Sequence, residues 1–160
     1  MPYKTPAMTM ICAHTGKPAV QQRTPDDCMI CALAMLTGRT YEEVVAAAVA
    51  HDPTFPVHGP MSHSILRSVA HGWGFMVLSG IYMLWGSPGI VGVLSPDIPG
   101  TGHAVFWDGE KIIDPKPGGR VDRAYADAHG LEFTQRASDL LPLADHELAI
   151  AAARTTDEPF

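Results

Sequence analysis

Three residues that together can perform nucleophilic catalysis follow one another along the chain: Cys28, His103 and Asp114. Cys28 stands where a buried helix is expected to begin, and the helix dipole with its unpaired N–H groups favours a thiolate there. His103 can act as a base, and Asp114 can hold its imidazole in one tautomer. A thiolate, a base and an orienting carboxylate are the parts of a covalent acyl-transfer site.

A fourth residue of the expected type precedes the cysteine. Gln22 lies six residues before Cys28, and its side-chain amide can join the Cys28 backbone N–H as an oxyanion hole. A cysteine in an apolar helix is more often a core residue than a nucleophile. The catalytic interpretation therefore depends on the order of all four residues along the chain.

The first half of the chain has the periodicity of helices. Cys28–Leu36 is apolar on every side, as a buried central helix would be, with Thr24, Asp26 or Asp27 as its cap and Gly38 at its end. Thr40 and Glu43 match a capping box and predict a second helix over Val44–Ala50. The pattern of Ser62–Ala70 predicts a third helix, which ends near Gly72.

The second half consists of short β-prone runs separated by Gly, Pro and Asp: Phe75–Leu78, Gly89–Leu94, His103–Trp107 and Lys111–Ile113. Asp108-Gly109 is a strong hairpin signal, and pairing across it would bring Asp114 to the His103 end of the hairpin.

Helices followed by strands predict an α+β fold in a single domain over residues 1–160. Within this domain, residues 1–20 are predicted to be an N-terminal extension or an edge strand, and the strand would cover Met8–Ala13. At the other end, we expect a terminal helix over Leu140–Ala153 and a frayed tail over residues 155–160.

Composition excludes several classes of function. With 46% hydrophobic and 18% charged residues, the 160-residue chain is typical of a folded domain. A net charge of −6 without a basic run argues against nucleic-acid or anionic-membrane binding. No apolar run has the roughly 18 to 20 residues of a membrane span. The odd number of cysteines, three, fits a reducing compartment, so we expect a soluble, cytoplasmic protein.

Neither a metal nor another cofactor is expected. Cys28 and Cys31 have the spacing of a zinc or redox pair, but no second pair completes a zinc site, and Cys31 is predicted to be a core residue. Four histidines at spacings that match no compact ligand motif are predicted to lie scattered on the surface: His51, His58, His63 and His71.

Two stretches resemble a known family. Gln22-Arg-Thr-Pro-Asp-Asp-Cys28 with the apolar helix behind it looks like the nucleophile segment of the double-glycine leader peptidases, papain-like cysteine peptidases that process bacteriocin precursors. Gly102-His103-Ala-Val-Phe-Trp and Ile113-Asp114-Pro115 resemble their His strand and Asp-Pro turn, so the resemblance runs from Gln22 to Pro115.

The resemblance implies a papain-like fold in which N-terminal helices, the first carrying the cysteine, pack on a C-terminal antiparallel sheet. It also implies Cys28 as nucleophile, His103 as base, Asp114 as orienting carboxylate and Gln22 as oxyanion donor, with a peptide or protein as substrate.

Two departures from the family keep alternatives open. Met29 stands where the family has glycine, and the interval from His103 to Asp114 is short. We expect a cysteine hydrolase that cleaves a peptide or amide bond. The alternatives are a catalytically silent papain-like module that binds a peptide or protein, and a transamidase or deamidase that uses the same residues.

Overall fold

The computed structural model describes residues 10–140. Its helices are α1 (Cys28–Thr37), α2 (Tyr41–His51), α3 (His63–Gly72), α4 (Arg123–His129) and α5 (Ala137–Leu140). Its strands are β1 (Val77–Gly80), β2 (Gly89–Leu94), β3 (Gly102–Trp107), β4 (Ile112–Ile113) and β5 (Gly130–Arg136). The α+β class predicted from the sequence is therefore confirmed.

Helix α1 is the central helix that its composition predicts. Every residue from 29 to 36 is buried, because side chains without a polar face have to be covered on all sides. Gly38 ends the helix in the left-handed conformation, with a φ of 69°, and its N–H reaches back to the carbonyls of the last turn.

Helices α2 and α3 begin at side-chain caps. The Thr40 hydroxyl accepts from the Glu43 N–H at 3.1 Å, and the Ser62 hydroxyl accepts from the Ile65 N–H at 3.3 Å. Both bonds satisfy a backbone donor that the first turn of a helix leaves without a partner. Helix α2 contacts both α1 and α3, so the three helices form one layer.

The five strands form one antiparallel sheet in the order β1-β5-β2-β3-β4. Strand β2 has the predicted bounds. Strand β1 begins two residues later than predicted, because the Phe75 N–H still donates to the Ala70 carbonyl at the end of α3.

Strand β5 and helix α4 are absent from the sequence-based predictions. Strand β5 lies between β1 and β2, yet its three buried residues, Glu132, Thr134 and Gln135, are all polar. A buried strand is normally recognised by an apolar pattern, which β5 lacks. Helix α4 has only seven residues and is capped by Asp122, whose carboxylate accepts from the Tyr125 N–H.

The sheet separates two apolar clusters. The larger contains α1 together with Ala104 and Phe106 of β3, and the smaller contains Val105 and Trp107 of the same strand. Because neighbouring residues of a strand point to opposite faces, the two clusters lie on opposite faces of the sheet. Helices α1 to α3 cover one face, and α4 contributes Ala126 to the cluster on the other.

The two ends of the chain are described only in part. The edge strand predicted over Met8–Ala13 is described from residue 10 onward, and this part joins no strand of the sheet. Its Ile11 forms an isolated bridge with Pro18. The predicted terminal helix, apart from Leu140, and the tail lie outside the described residues. Among residues 10–140 no helix has both the length and the apolarity to cross a membrane.

Candidate active site

The structure brings Cys28 and His103 together where the first turn of α1 meets the start of β3. Cys28 is the first residue of α1 and is partly exposed, whereas the rest of the helix is buried. His103 is the second residue of β3 and its side chain is only 10% exposed. Both side chains line one cleft, because α1 packs along β3.

Asp114 lies on the other side of the same imidazole. Its Oδ1 is 2.7 Å from His103 Nε2, and a carboxylate can only accept, so Nε2 carries the proton of this bond. The second ring nitrogen, Nδ1, is then the one that can exchange a proton with the Cys28 thiol. The predicted hairpin explains the short interval, since β3 and β4 pair directly and the turn from Asp108 to Lys111 closes them.

Two opposing effects determine the pKa of His103. Burial lowers the pKa of the imidazole, but the hydrogen bonds and negative charges of Asp114 and Cys28 outweigh it and raise the pKa to about 9. The ring is therefore an imidazolium at neutral pH. A protonated imidazole is the neighbour that stabilises a thiolate.

Gln22 is buried beside this pair and lines the same cleft. Its Nε2 donates to the Thr24 carbonyl at 3.0 Å, which uses one of the two protons of the amide. Its backbone N–H donates to the Pro115 carbonyl at 2.8 Å, so the residue is tied to the segment that follows Asp114.

Asp27, predicted as a helix cap, has a different role. It stands at the N-cap position, but its side chain makes no capping bond. Its Oδ2 accepts from the Arg23 N–H at 3.0 Å, the Thr24 N–H at 3.2 Å and the Tyr41 hydroxyl at 2.7 Å. Asp27 thus fixes the turn between Gln22 and Cys28. The sequence gives no separate signal for this, because aspartate is also a common cap.

A cleft of about 140 Å³ opens in front of the thiol. Its walls include Gln22, Pro25, Cys28, Ile98, His103 and Lys116. The loop of residues 95–101, between β2 and β3, forms one wall, and the Ser95 hydroxyl stabilises this loop by accepting from the N–H groups of Asp97 and Ile98.

The other cysteines and histidines lie apart from this cleft. Cys12 and Cys31 are buried, as predicted for Cys31, and burial raises the pKa of Cys12 to about 11. The prediction that the histidines are scattered over the surface is wrong for His63, which is buried at the start of α3, 3.1 Å from Glu132 Oε2. Among the residues that the structure describes, no group of three or more His, Cys, Asp or Glu side chains could hold a metal ion.

A comparison of the chain with protein-family models, with curated proteins and with solved structures finds no match. The chemistry of the cleft is therefore inferred from its own residues.

Proposed function

We propose that the protein is a papain-like cysteine hydrolase that cleaves a peptide or amide bond, with Cys28 as its nucleophile. One observation carries the proposal: the His103 imidazole lines the same cleft as the Cys28 thiol and is held by the Asp114 carboxylate at 2.7 Å. Nucleophile, base and orienting group in mutual hydrogen-bond reach are the pattern of activated covalent catalysis.

The first half of the reaction forms an acyl-enzyme. The Cys28 thiolate attacks the carbonyl carbon, and its C–S bond forms as the carbonyl electrons move to oxygen. The Cys28 N–H and the remaining amide proton of Gln22 stabilise this oxyanion. The C–N bond then breaks while the His103 imidazolium gives its proton to the departing amine, and a thioester remains.

The second half releases the acyl group. Neutral His103 takes a proton from water as the water oxygen attacks the thioester. The C–S bond breaks, a carboxylic acid leaves, and the thiolate–imidazolium pair is restored. Asp114 keeps the imidazole in one orientation through both halves, because it holds Nε2 while Nδ1 exchanges the proton.

Two features favour this proposal over a catalytically silent module. Met29, the departure from the family pattern, is 5% exposed and packs in the core, away from the cleft. The short interval from His103 to Asp114 is accommodated by the hairpin, which leaves their hydrogen bond at an ordinary length. Neither departure obstructs the thiol.

The test is site-resolved alkylation of Cys28 by iodoacetamide across pH, read by mass spectrometry. We expect Cys28 to react well below pH ~8.5, the usual range of a free thiol, and to lose this advantage in His103→Ala. The matched control is His71→Ala, which removes an exposed histidine of α3 and should leave the reaction unchanged. A Cys28 that is indifferent to His103 would contradict the proposal.

A second measurement identifies the reaction. Peptide libraries are incubated with the parent and with Cys28→Ala, and the masses of the products are compared. A peptidase adds water and cuts the chain, whereas a deamidase exchanges a side-chain amide NH2 for OH and a transamidase exchanges it for another amine, so that both change the mass and leave the chain uncut. Cleavage products that also form with Cys28→Ala would exclude this thiol as the nucleophile.

A further inference from the structure

The segment of residues 115–121, which we call the carboxylate loop, folds around the side chain of Asp114. Its Lys116 N–H donates to Oδ1 at 3.0 Å, and its Val121 N–H donates to Oδ2 at 3.2 Å. With the bond from His103, both oxygens of a side chain that is 6% exposed are satisfied. Such a carboxylate is held in one orientation.

Gly119 is the point where this loop touches the carboxylate. A Cβ built on Gly119 would lie 2.7 Å from Asp114 Oδ1 and closer still to Oδ2 and Cγ, whereas real Cβ contacts essentially never fall under 3.0 Å. The obstacle is space and not backbone strain, since Gly119 does not adopt the positive φ of its neighbour Gly118, 67°. Any side chain at position 119 would have to displace the carboxylate or the loop.

Ion pairs join the carboxylate loop to the wall of the cleft. Asp97 accepts from Lys116 Nζ at 2.5 Å and from the Arg120 guanidinium at 2.7 Å. The side chains of these three residues are between 27% and 67% exposed, and ion pairs of this kind are weak. The position of the loop therefore depends mainly on its two N–H bonds to Asp114 and on the close approach at Gly119 that lets them form, and Asp97 gives secondary support.

We propose that Gly119 is a positioning residue for His103: only a residue without a side chain lets the carboxylate loop close on Asp114, and the enclosed carboxylate in turn holds the imidazole at Cys28. This inference rests on the proposed function. Any larger residue at position 119 displaces the carboxylate itself or the loop whose N–H groups hold it, and either shift weakens the contact between the carboxylate and Nε2. The imidazole then keeps its burial but loses a charged partner.

The direct test is an NMR titration of His103 in histidine-labelled protein, with its signal assigned through His103→Gln. The titratable groups that act on the ring are Asp114 and Cys28, and the same cleft also contains Asp26, Asp97 and Lys116. We expect the pKa of His103 to fall by about one unit or more in Gly119→Ala, because an opposite charge at hydrogen-bond distance is lost.

Gly118→Ala is the matched control. The adjacent glycine has a positive φ but nothing within 4 Å of its would-be Cβ, so alanine there strains the backbone without touching Asp114. We expect Gly118→Ala to lower stability and to leave the titration of His103 unchanged. Equal titration curves in the parent and in Gly119→Ala would overturn the inference.

A double variant covers the case in which Gly119→Ala fails to fold. In an Asp114→Ala background the carboxylate is gone and the added methyl has room, so Gly119→Ala should produce no further loss of stability there. A loss that is the same with and without Asp114 would overturn the inference. None of these measurements needs a substrate, so a parent that cleaves nothing would count against the proposed function and not against the role of Gly119.

Discussion

His103 is a buried side chain that carries a charge at neutral pH. Removing an ionised ring from water is unfavourable, and this is offset here by two partners that stabilise the protonated ring more strongly than the neutral one. Losing one partner leaves a buried charge without compensation, and the ring then releases its proton at lower pH. The charge of this one residue therefore depends on both the orienting carboxylate and the nucleophile.

This raised pKa predicts how stability varies with pH. Since the pKa of His103 is about 9 in the folded protein and about 6.5 in the unfolded chain, its charge stabilises the fold fully below pH 6.5. The contribution is lost as the pH rises towards 9. We expect the parent to exceed His103→Gln in unfolding free energy at pH 6, with a difference that shrinks steadily towards pH ~9.

Chemical denaturation at a series of pH values measures this difference. His71→Gln is the control, because it makes the same substitution at an exposed histidine of α3 outside the cleft. A gap between the parent and His103→Gln that widens with pH would contradict the assigned direction of the pKa.

The turn before α1 is held by α2 through one buried hydroxyl. Tyr41, the first residue of α2, is 4% exposed and donates to Asp27, which in turn accepts two N–H groups of the turn between Gln22 and Cys28. The hydroxyl of Tyr41 is also 2.9 Å from His58 Nδ1. The position of the nucleophile thus depends on the contact between two helices.

Tyr41→Phe should be costly for this reason. It removes the donor but leaves the buried Asp27 carboxylate, and an incompletely satisfied buried acceptor costs about 1 to 3 kcal/mol. Tyr125→Phe is the matched control, since its hydroxyl also makes one hydrogen bond, at 2.8 Å to the Leu94 carbonyl, but at an exposed site. Its cost should stay within about 0.5 kcal/mol.

Urea denaturation of both variants measures these costs. If Tyr41→Phe proves as mild as Tyr125→Phe, the hydroxyl does not fix the turn. The rate of Cys28 alkylation should decrease in Tyr41→Phe alone.

Strand β5 is central in the sheet although its buried side chains are polar. The Thr134 hydroxyl is paired with the Ser79 hydroxyl of β1 at 2.8 Å. Gln135 donates to the Leu84 and Ser87 carbonyls and accepts from the Leu84 N–H. These bonds compensate for burial, so the strand is held by specific pairs and not by apolar area alone.

A double-mutant cycle tests this at Ser79 and Thr134. Either Ser79→Ala or Thr134→Val alone leaves one buried hydroxyl without its partner and should cost about 1 to 3 kcal/mol. The double variant removes both hydroxyls and should lose less than the sum of the single losses, as thermal or urea unfolding would show. Strict additivity would mean that the two hydroxyls do not interact.

The whole molecule places one cysteine at the surface and two in the interior. Cys28 opens α1 at the cleft, whereas Cys12 and Cys31 are 1% and 0% exposed. Burial raises the pKa of Cys12 to about 11 and that of Cys31 well above its ordinary value. An alkylating reagent can reach these two thiols only after the fold has opened around them.

Alkylation of the native protein should therefore be selective. We expect iodoacetamide to modify Cys28 quickly, and Cys12 and Cys31 only at the rate allowed by opening of the fold. The measurement follows each cysteine separately by mass spectrometry at increasing urea concentration. The parent in full denaturant is the control, since all three should then react alike. Rapid native reaction of Cys31 would contradict the central position of α1.

Much of the fold was predictable from local sequence. Apolar composition indicated α1, the Thr40–Glu43 spacing indicated the start of α2, and Asp108-Gly109 indicated the hairpin that brings Asp114 to His103. Each of these signals depends on residues close together in the chain, where backbone hydrogen bonds and turn preferences are set locally. Strand β5 was not predictable, because its buried polar side chains find their hydrogen-bond partners in distant segments. Helix α4 was not predictable, because it is short.

The sequence by itself determined the α+β order and the four candidate residues Gln22, Cys28, His103 and Asp114. Only the tertiary structure decided that His103 lies between Cys28 and Asp114, that Asp27 fixes a turn instead of capping a helix, and that Gly119 closes on a carboxylate. The reason is physical: residue types and local periodicity are properties of short segments. Hydrogen-bond reach, burial and the space beside a glycine arise only when distant segments pack together.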